Sequence, residues 1–271
     1  MESLCELLFE VSNEDRLRIL QQIRDSPSSV SSLAKDLDLS TQEASRHAHR
    51  LTEVGLTRRD PDGLFRATEY GKLFLQQLQG PTFTSKHKDY FNSHALPIPD
   101  AFIARIGELN EATYVEDIML GIFKMEAVVK EAEEYILTMA SHYPVSSYPL
   151  FFNAWERGVR VASVDPKLYV PPEQILEAIG REDWRERIHR ARAEGLSEDR
   201  LIERVEVNLW MSEKEVGLLA FPKADGTPDL LGFSSTDQRA HRWCRDLFDH
   251  YWERGEPGHW DEIHLYPGEE R

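Results

Sequence analysis

Residues Ser40–Gly55 read STQEASRHAHRLTEVG, and this stretch decides how the N-terminal third of the chain is understood. Ser40 followed by Glu43 is a capping box: the serine oxygen accepts a backbone N–H of the first turn, and the glutamate reaches back to the cap. Behind that start Ala44, Ala48, Leu51 and Gly55 recur at helical spacing, which makes one face small and apolar. The opposite face carries Thr41, Gln42, Ser45, Arg46, His49 and Arg50, all hydrogen-bond donors and none acidic. A helix of this kind can offer its first two turns to the edges of base pairs in a major groove.

The flanking residues supply the rest of a motif. Val30, Leu33, Ala34 and Leu37 share a face of a preceding helix, and Asp38-Leu39 is a tight connection. After Gly55, Leu56–Arg59, the turn Asp60-Pro61-Asp62-Gly63 and Leu64–Ala67 predict a β-hairpin. Helix, turn, helix and hairpin together predict an α+β winged helix-turn-helix over residues 1–80. Arg58, Arg59 and Arg66 flank its hairpin, where a wing meets phosphate. The expected DNA-contacting set is therefore Ser40, Thr41, Gln42, Ser45, Arg46, His49, Arg50, Arg58, Arg59 and Arg66. Gln42 suits adenine, and Arg46 and Arg50 suit guanine or phosphate.

Charge must be judged by its distribution. The chain of 271 residues has a formal net charge of −16, which by itself argues against a polyanionic partner. Residues 1–80 hold 10 Lys and Arg against 13 Asp and Glu, whereas Ser40–Lys72 holds 6 against 5 with His47 and His49 besides. The positive charge that phosphate contact needs is local, and binding is expected to be weak on random DNA and steep in salt. Mean hydropathy is −0.51, and no apolar run approaches the ~18–20 residues needed to span a bilayer. The N-terminus has acids where a secretory signal needs bases, so a soluble, cytoplasmic protein without membrane partners is expected. Cys5 and Cys244 stand at opposite ends in no metal-binding spacing. Both are read as packed thiols, with no disulfide, structural metal or cofactor expected.

Along the chain, Leu4–Glu10 and Asn13–Asp25 are predicted helices, and Thr68–Leu78 is another after the hairpin. Leu4, Leu8, Phe74 and Leu78 are candidates for a homodimer surface. Residues 81–99 are read as a linker helix, with Lys86-His87-Lys88-Asp89 solvated. From 100 to 256 the pattern alternates. Strands are expected at Ala112–Ile118, Tyr135–Ala140, Val159–Val164, Arg204–Trp210, Glu215–Phe221 and Leu230–Phe233. Helices are expected at Met119–Glu133, Ser147–Arg157, Pro172–Arg192 and Asp237–Arg254. This is an α/β domain with antiparallel additions, followed by an acidic tail over 257–271 that contains His259 and His264.

Two blocks carry a family resemblance. LAKDLDLSTQEASRHAHRLTEVGLTRR, with LLGFSSTDQRAHRWCRDLFDHYWERG far downstream, resembles archaeal regulators that join a winged helix to a FilR-type methanogenesis-regulator middle domain. The stretch YVEDIMLGIFKMEAVVKEAEEYILTMAS fits the same family, so the resemblance spans about residues 10–255. It implies a dimeric transcription regulator bound to double-stranded DNA, with an α/β effector domain similar to that of TrmB-type regulators and phospholipase-D-like in fold. The catalytic His-x-Lys pattern of phospholipase D is absent, since no histidine here has lysine two places on. No phosphate loop, GxGxxG or nucleophile elbow is present either, so no catalytic residues are expected.

In open α/β sheets ligands lie beyond the C-terminal strand ends. On that rule Ser141, His142, Asp165, Ser234 and Ser235 form the expected effector site, against the alternative that each is a turn or cap residue. Trp155 and Trp210 are read as core. A protein-interaction module, or an altered phosphodiesterase carried by a DNA-targeting module, are the competing functions. The effector is left as a small molecule or a protein.

Overall fold

A computed structural model of the chain describes residues 2–167 and 181–258, with 174 and 177 between them. It divides into two compact units, Met1–Pro81 and Thr82–Arg271. The expected helix start at 172 and most of the acidic tail lie outside the described residues.

The first unit opens with helices α1 (Glu2–Val11), α2 (Glu14–Asp25), α3 (Val30–Asp36) and α4 (Thr41–Glu53). Each of the last three is capped by the residue before it: Asn13 accepts from the Arg16 N–H, Ser29 from Ser32 and Ser40 from Glu43. The Ser40–Glu43 capping box is complete in both directions. Between α3 and α4 the chain reverses at Asp38, whose φ of 56° is left-handed, a region Asp tolerates better than most side chains. Strands β1 (Thr57–Arg59) and β2 (Phe65–Ala67) form the antiparallel hairpin, with Arg58 opposite Arg66. Ser28 adds an antiparallel bridge to Phe65 as a short third strand. Helix α5 (Glu69–Gln77) follows under a Thr68 cap. The face predicted for α4 is the buried one: Ala44, Ala48 and Leu51 are fully covered, in a core with Ile19, Leu20, Leu33, Leu56 and Phe65. Cys5, expected to be packed, is exposed on α1, whereas Cys244 is buried.

The second unit is a mixed eight-stranded sheet with helices on both faces. Its strands are β3 (Thr113–Val115), β4 (Tyr135–Met139), β5 (Arg160–Pro166), β6 (Ser197–Ile202), β7 (Asn208–Ser212), β8 (Val216–Ala220), β9 (Gly232–Ser235) and β10 (Glu256–Pro257). Their order is β10-β6-β5-β4-β7-β8-β9-β3. β4, β5 and β6 are parallel, and the remaining neighbours are antiparallel. Alternation along β7 sends Trp210 to one face and Leu209 and Met211 to the other.

On the Trp210 face lie α9 (Ile118–Glu131), α10 (Ser147–Glu156) and α11 (Arg181–Ala193), contributing Met125, Phe151 and Ile188 among others. On the other face α12 (Gln238–Trp252), started by Asp237, buries Ala240, Trp243, Cys244, Leu247 and Phe248. It shares that face with α8 (Asp100–Ile103) and a 3₁₀ turn at Ile106–Leu109.

Three expectations are corrected here. The strand β6 has no counterpart in the sequence reading, because SEDRLI is polar and lacks β-branched residues apart from its last. The tail was expected to begin at 257, yet Pro257 pairs with Arg200 in β10. The segment 81–99, expected to link the domains, is built into the second unit through α6 (Gln79–Lys86) and α7 (Lys88–Phe91). Phe83 and Tyr90 are buried against Phe233, and the Tyr90 hydroxyl accepts the Phe221 N–H at 2.8 Å. His87 is likewise drawn into this aromatic cluster, 4.9 Å from the Phe233 ring, and burial lowers its pKa.

Gly71 seats α5 against the hairpin: a Cβ there would stand 2.1 Å from the carbonyl oxygen of Leu56. That oxygen already accepts the Thr68 N–H at 3.0 Å, so it is not free to move away. Gly71→Ala is expected to destabilise the first unit by about 2–3 kcal/mol despite alanine's better helix propensity. Urea denaturation of the two proteins checks this; equal midpoints would show that the helix can shift at no cost.

Candidate nucleic-acid interface

The residues expected to contact DNA separate into two groups once their neighbours are known. Thr41, Gln42, Arg46 and His49 are exposed along α4. Arg46 makes no hydrogen bond or ion pair among the described residues, so its guanidinium is available to a partner. Ser40 is occupied by the cap, and Ser45 is half-buried. The edge of His49 rests on Phe65, 5.7 Å between centroids, which joins the helix to the hairpin.

Arg50 is turned back into its own unit. Its guanidinium donates to both carboxylate oxygens of Glu10, at 2.6 and 3.2 Å. The Glu10 side chain is only 8% exposed, and Arg16 approaches the same carboxylate at 3.5 Å. Arg16 also donates to the backbone carbonyls of Glu10 and Phe9. One carboxylate at the end of α1 thus holds α2 and α4 together. Forty residues separate Glu10 from Arg50, and no local spacing betrays the pair. The expectation that Arg50 reads a base meets this competing partner.

The hairpin shows the same division. Arg66 is ion-paired with Asp60, and Arg59 donates to the Gly63 carbonyl while lying 5.7 Å over Phe65. Arg58 is the most open, with a side chain 69% exposed and a long 3.9 Å approach to Asp60. His47 points the other way, into the core. Burial first, then the nearby Arg46 and Arg16, disfavour its charged form and lower its pKa below the usual 6.5.

The five residues expected to hold an effector do not meet. Ser141 and His142 follow β4, with Ser141 Oγ 2.9 Å from His142 Nδ1. Asp165, near the same end of β5, is buried and accepts the Tyr143 hydroxyl at 2.8 Å. That phenol's pKa is raised well above its ordinary value, mainly by burial. Ser234 and Ser235 end β9, which runs opposite to β4. Ser235 pairs with Val216, Val216 with Met211 and Met211 with Leu137, so Ser235 is level with the middle of β4. Ser141 lies about 13 Å further along and three strands, about 14 Å, across. Ser235 Oγ accepts the Asp237 N–H at 3.0 Å in the turn into α12. The rule about strand ends fails here because it presumes parallel strands, and β9 is antiparallel to β4. Trp210 and Trp155 are core residues.

Two outcomes follow from this geometry. Glu10→Ala and Arg50→Ala are each expected to lower the stability of the first unit by roughly 1–2 kcal/mol, with strong coupling in the double variant. Urea titrations of the four proteins test it; an Arg50→Ala protein as stable as the parent would return that side chain to the solvent-facing set. The unfolded chain titrates His47 near 6.5, above its folded value, so between the two the unfolded state binds the extra proton. Stability conferred by neutral His47 is therefore lost as pH falls below about 6.5. His47→Asn is expected to flatten the fall in urea midpoint between neutral and mildly acidic pH relative to the parent, which retains the contributions of His87 and His250 in both.

A helix-turn-helix family matches residues 11–60, and the methanogenesis regulatory protein FilR1 middle domain matches residues 137–254. Among solved structures the chain is similar to TrmBL2, described as an archaeal chromatin protein. The identity is 17%, over 93% of this chain and 98% of that one, with a TM-score of 0.42. Reduced HlyU from Vibrio cholerae N16961 is 30% identical over 29% of this chain and 86% of that one, with a TM-score of 0.26. Nuc, a phospholipase D family member from Salmonella typhimurium, is 11% identical over 54% and 95%, with a TM-score of 0.36. No curated protein matches the chain. With the observed fold, the two domain matches show a winged helix-turn-helix joined to a FilR1-type middle domain, the domain arrangement of a DNA-binding transcriptional regulator.

Proposed function

We propose that the protein is a homodimeric, sequence-specific DNA-binding regulator whose second domain receives an effector signal. The observation that carries this reading is the outer face of α4. Thr41, Gln42 and Arg46 stand exposed on a helix whose start is fixed by a capping box and whose back is fully buried. Such a face suits direct readout of base edges, with Arg58 and Arg59 on the hairpin set for phosphate. Two copies would place their recognition helices in successive major grooves about 34 Å apart. Pairing is supported by apolar side chains that this unit leaves in solvent, Leu4, Leu8 and Phe9 on α1 with Tyr70 and Leu73 on α5. Of the residues expected to line that surface, Phe74 and Leu78 are half-buried in the single chain. An effector bound in the second domain would act by biasing the separation of the two recognition helices. We assign no catalytic role to any residue, and we infer a cytoplasmic location from the DNA partner. Among the described residues no helix is long and apolar enough to cross a membrane.

A second reading, that this unit also meets a protein partner, is supported by one feature. At the start of α9, Ile118, Met119, Leu120 and Phe123 are 43–69% exposed, a run of apolar surface suited to a macromolecular partner.

The test is fluorescence anisotropy on the chain's own upstream DNA and a scrambled duplex across a salt series. Expected is tighter binding to the native sequence, falling steeply with salt, at two chains per duplex. Arg46→Ala should weaken specific binding by about 1–3 kcal/mol and relax sequence preference. Arg58→Ala or Arg59→Ala should weaken both duplexes alike and lower the salt slope by about one. Equal, feeble binding to both duplexes at all salts would overturn the reading, and unchanged preference in Arg46→Ala would remove that residue from it.

A further inference from the structure

A cleft of about 360 Å³ lies on the α12 face of the sheet at the starts of the three parallel strands. Its floor is set by register. Tyr135 of β4 pairs with Arg160 of β5, Leu137 with Ala162, and Ala162 with Glu198 of β6. These residues share one face, and Ala162 at the centre is too small to fill the space beneath α12. Arg245, Phe248, Asp249 and Trp252 of α12 form the wall.

The cations around it are unequally engaged. Arg245 stands 5.1 Å over the Tyr135 ring and meets Asp249 through Nε alone, at 3.1 Å to each oxygen. Its two terminal nitrogens make no hydrogen bond among the described residues. The side chain of Arg160, which pairs in register with the same tyrosine, makes neither a hydrogen bond nor an ion pair among the described residues. Arg242 on α12 is equally unengaged, but it does not line the cleft. Two arginines with donors to spare therefore line one cleft. Trp252, stacked on Phe248 at 5.5 Å and covered by Arg200 at 5.3 Å, supplies a flat apolar side. Glu134, Glu198 and Asp249 also line the space, so the cleft carries no excess of positive charge and an added dianion would meet more repulsion than a monoanion.

We propose that this cleft binds a small aromatic carboxylate, its anion held by Arg160 and Arg245 and its ring seated over Ala162 against Phe248 and Trp252. Planar guanidiniums match a carboxylate in two-point geometry, and the volume is that of an ordinary small-molecule site. The site deepens the effector reading of the second domain and depends on that reading only for its regulatory consequence.

The experiment uses the full-length chain with benzoate as probe, followed by tryptophan fluorescence and by calorimetry. Phenyl phosphate is the dianionic arm and benzyl alcohol the neutral one. Expected is saturable one-to-one benzoate binding in the millimolar range or tighter, at least about tenfold stronger than either comparison compound. Arg160→Ala should weaken it at least about tenfold, and Ala162→Leu should abolish it by filling the floor, with melting temperatures of both variants close to the parent. Arg160 is exposed, so its removal leaves the fold intact. Absence of saturable benzoate binding, binding that is unchanged in both variants, or preference for phenyl phosphate would each overturn the proposal. DNA affinity is read on the same samples. A chain that binds benzoate and no DNA keeps the site and loses the regulator reading, and one that binds DNA and no benzoate does the reverse.

Discussion

The first unit depends on a helix that must bury one side without spending its other. Helix α4 covers Ala44, Ala48 and Leu51 completely and keeps Thr41, Gln42 and Arg46 in water. Two alanines bring its backbone close to α2 and α3, but they remove little apolar area from water, each far less than a leucine. The helix is therefore secured by other means. The capping box satisfies its first backbone donors, worth about 1 kcal/mol. Glu10 clasps Arg50 on its last turns, and larger side chains from elsewhere, Ile19, Leu20, Leu33 and Phe65, provide the bulk of the core. The cost falls on Arg50, which trades availability for anchorage. Because its partner comes from α1, the same helix that presents Leu4, Leu8 and Phe9 to solvent, anything that moves α1 acts on α4 through an ion pair whose carboxylate is buried.

The second unit is shaped by a mismatch of widths. Eight strands span roughly 34 Å at the usual interstrand spacing, whereas one helix covers about 10 Å. The Trp210 face is shared among three helices. The opposite face has α12 as its one long helix among the described residues, and shorter pieces fill in beside it. Phe83, Tyr90 and Phe91 cover the β8–β9 side by packing on Phe233. This is why the segment after α5 is held in this unit and is not a free linker. On the β4–β6 side no comparable segment among the described residues lies over Ala162, and the cleft is what remains.

How much of this was legible followed from the range of the interactions involved. Periodicity and capping are local, so α4, the hairpin and α12 were readable from Ser40, Gly63 and Asp237 with their neighbours. The helix-turn-helix reading also survives in detail because its turn chemistry is local. Strand β6 was hidden because its residues Ser197, Glu198 and Asp199 are polar, and only pairing with β5 makes them a strand. The effector residues were misgrouped for a related reason: strand direction is a property of the sheet, and β9 reverses where the sequence rule assumes parallel strands. Phe83 and Tyr90 carried a signal that composition blurred, two aromatics seven residues apart in an otherwise polar stretch, which is a helical spacing.

Arginine use connects the two units. The chain has 48 carboxylates to 32 basic side chains, so a guanidinium has a local acid within reach almost everywhere. Arg16, Arg50, Arg66, Arg105, Arg187 and Arg245 all have one. Against that background an arginine left without a partner is informative, since neither the sequence's acidity nor the fold has claimed it. Arg46 and Arg160 are two of these, one on the outer face of α4 and the other in the cleft beneath α12. The acidity that makes the whole molecule a poor general polyanion binder also sharpens its selectivity. It internally neutralises most cations and leaves anion recognition to the few guanidiniums that no carboxylate pairs with among the described residues.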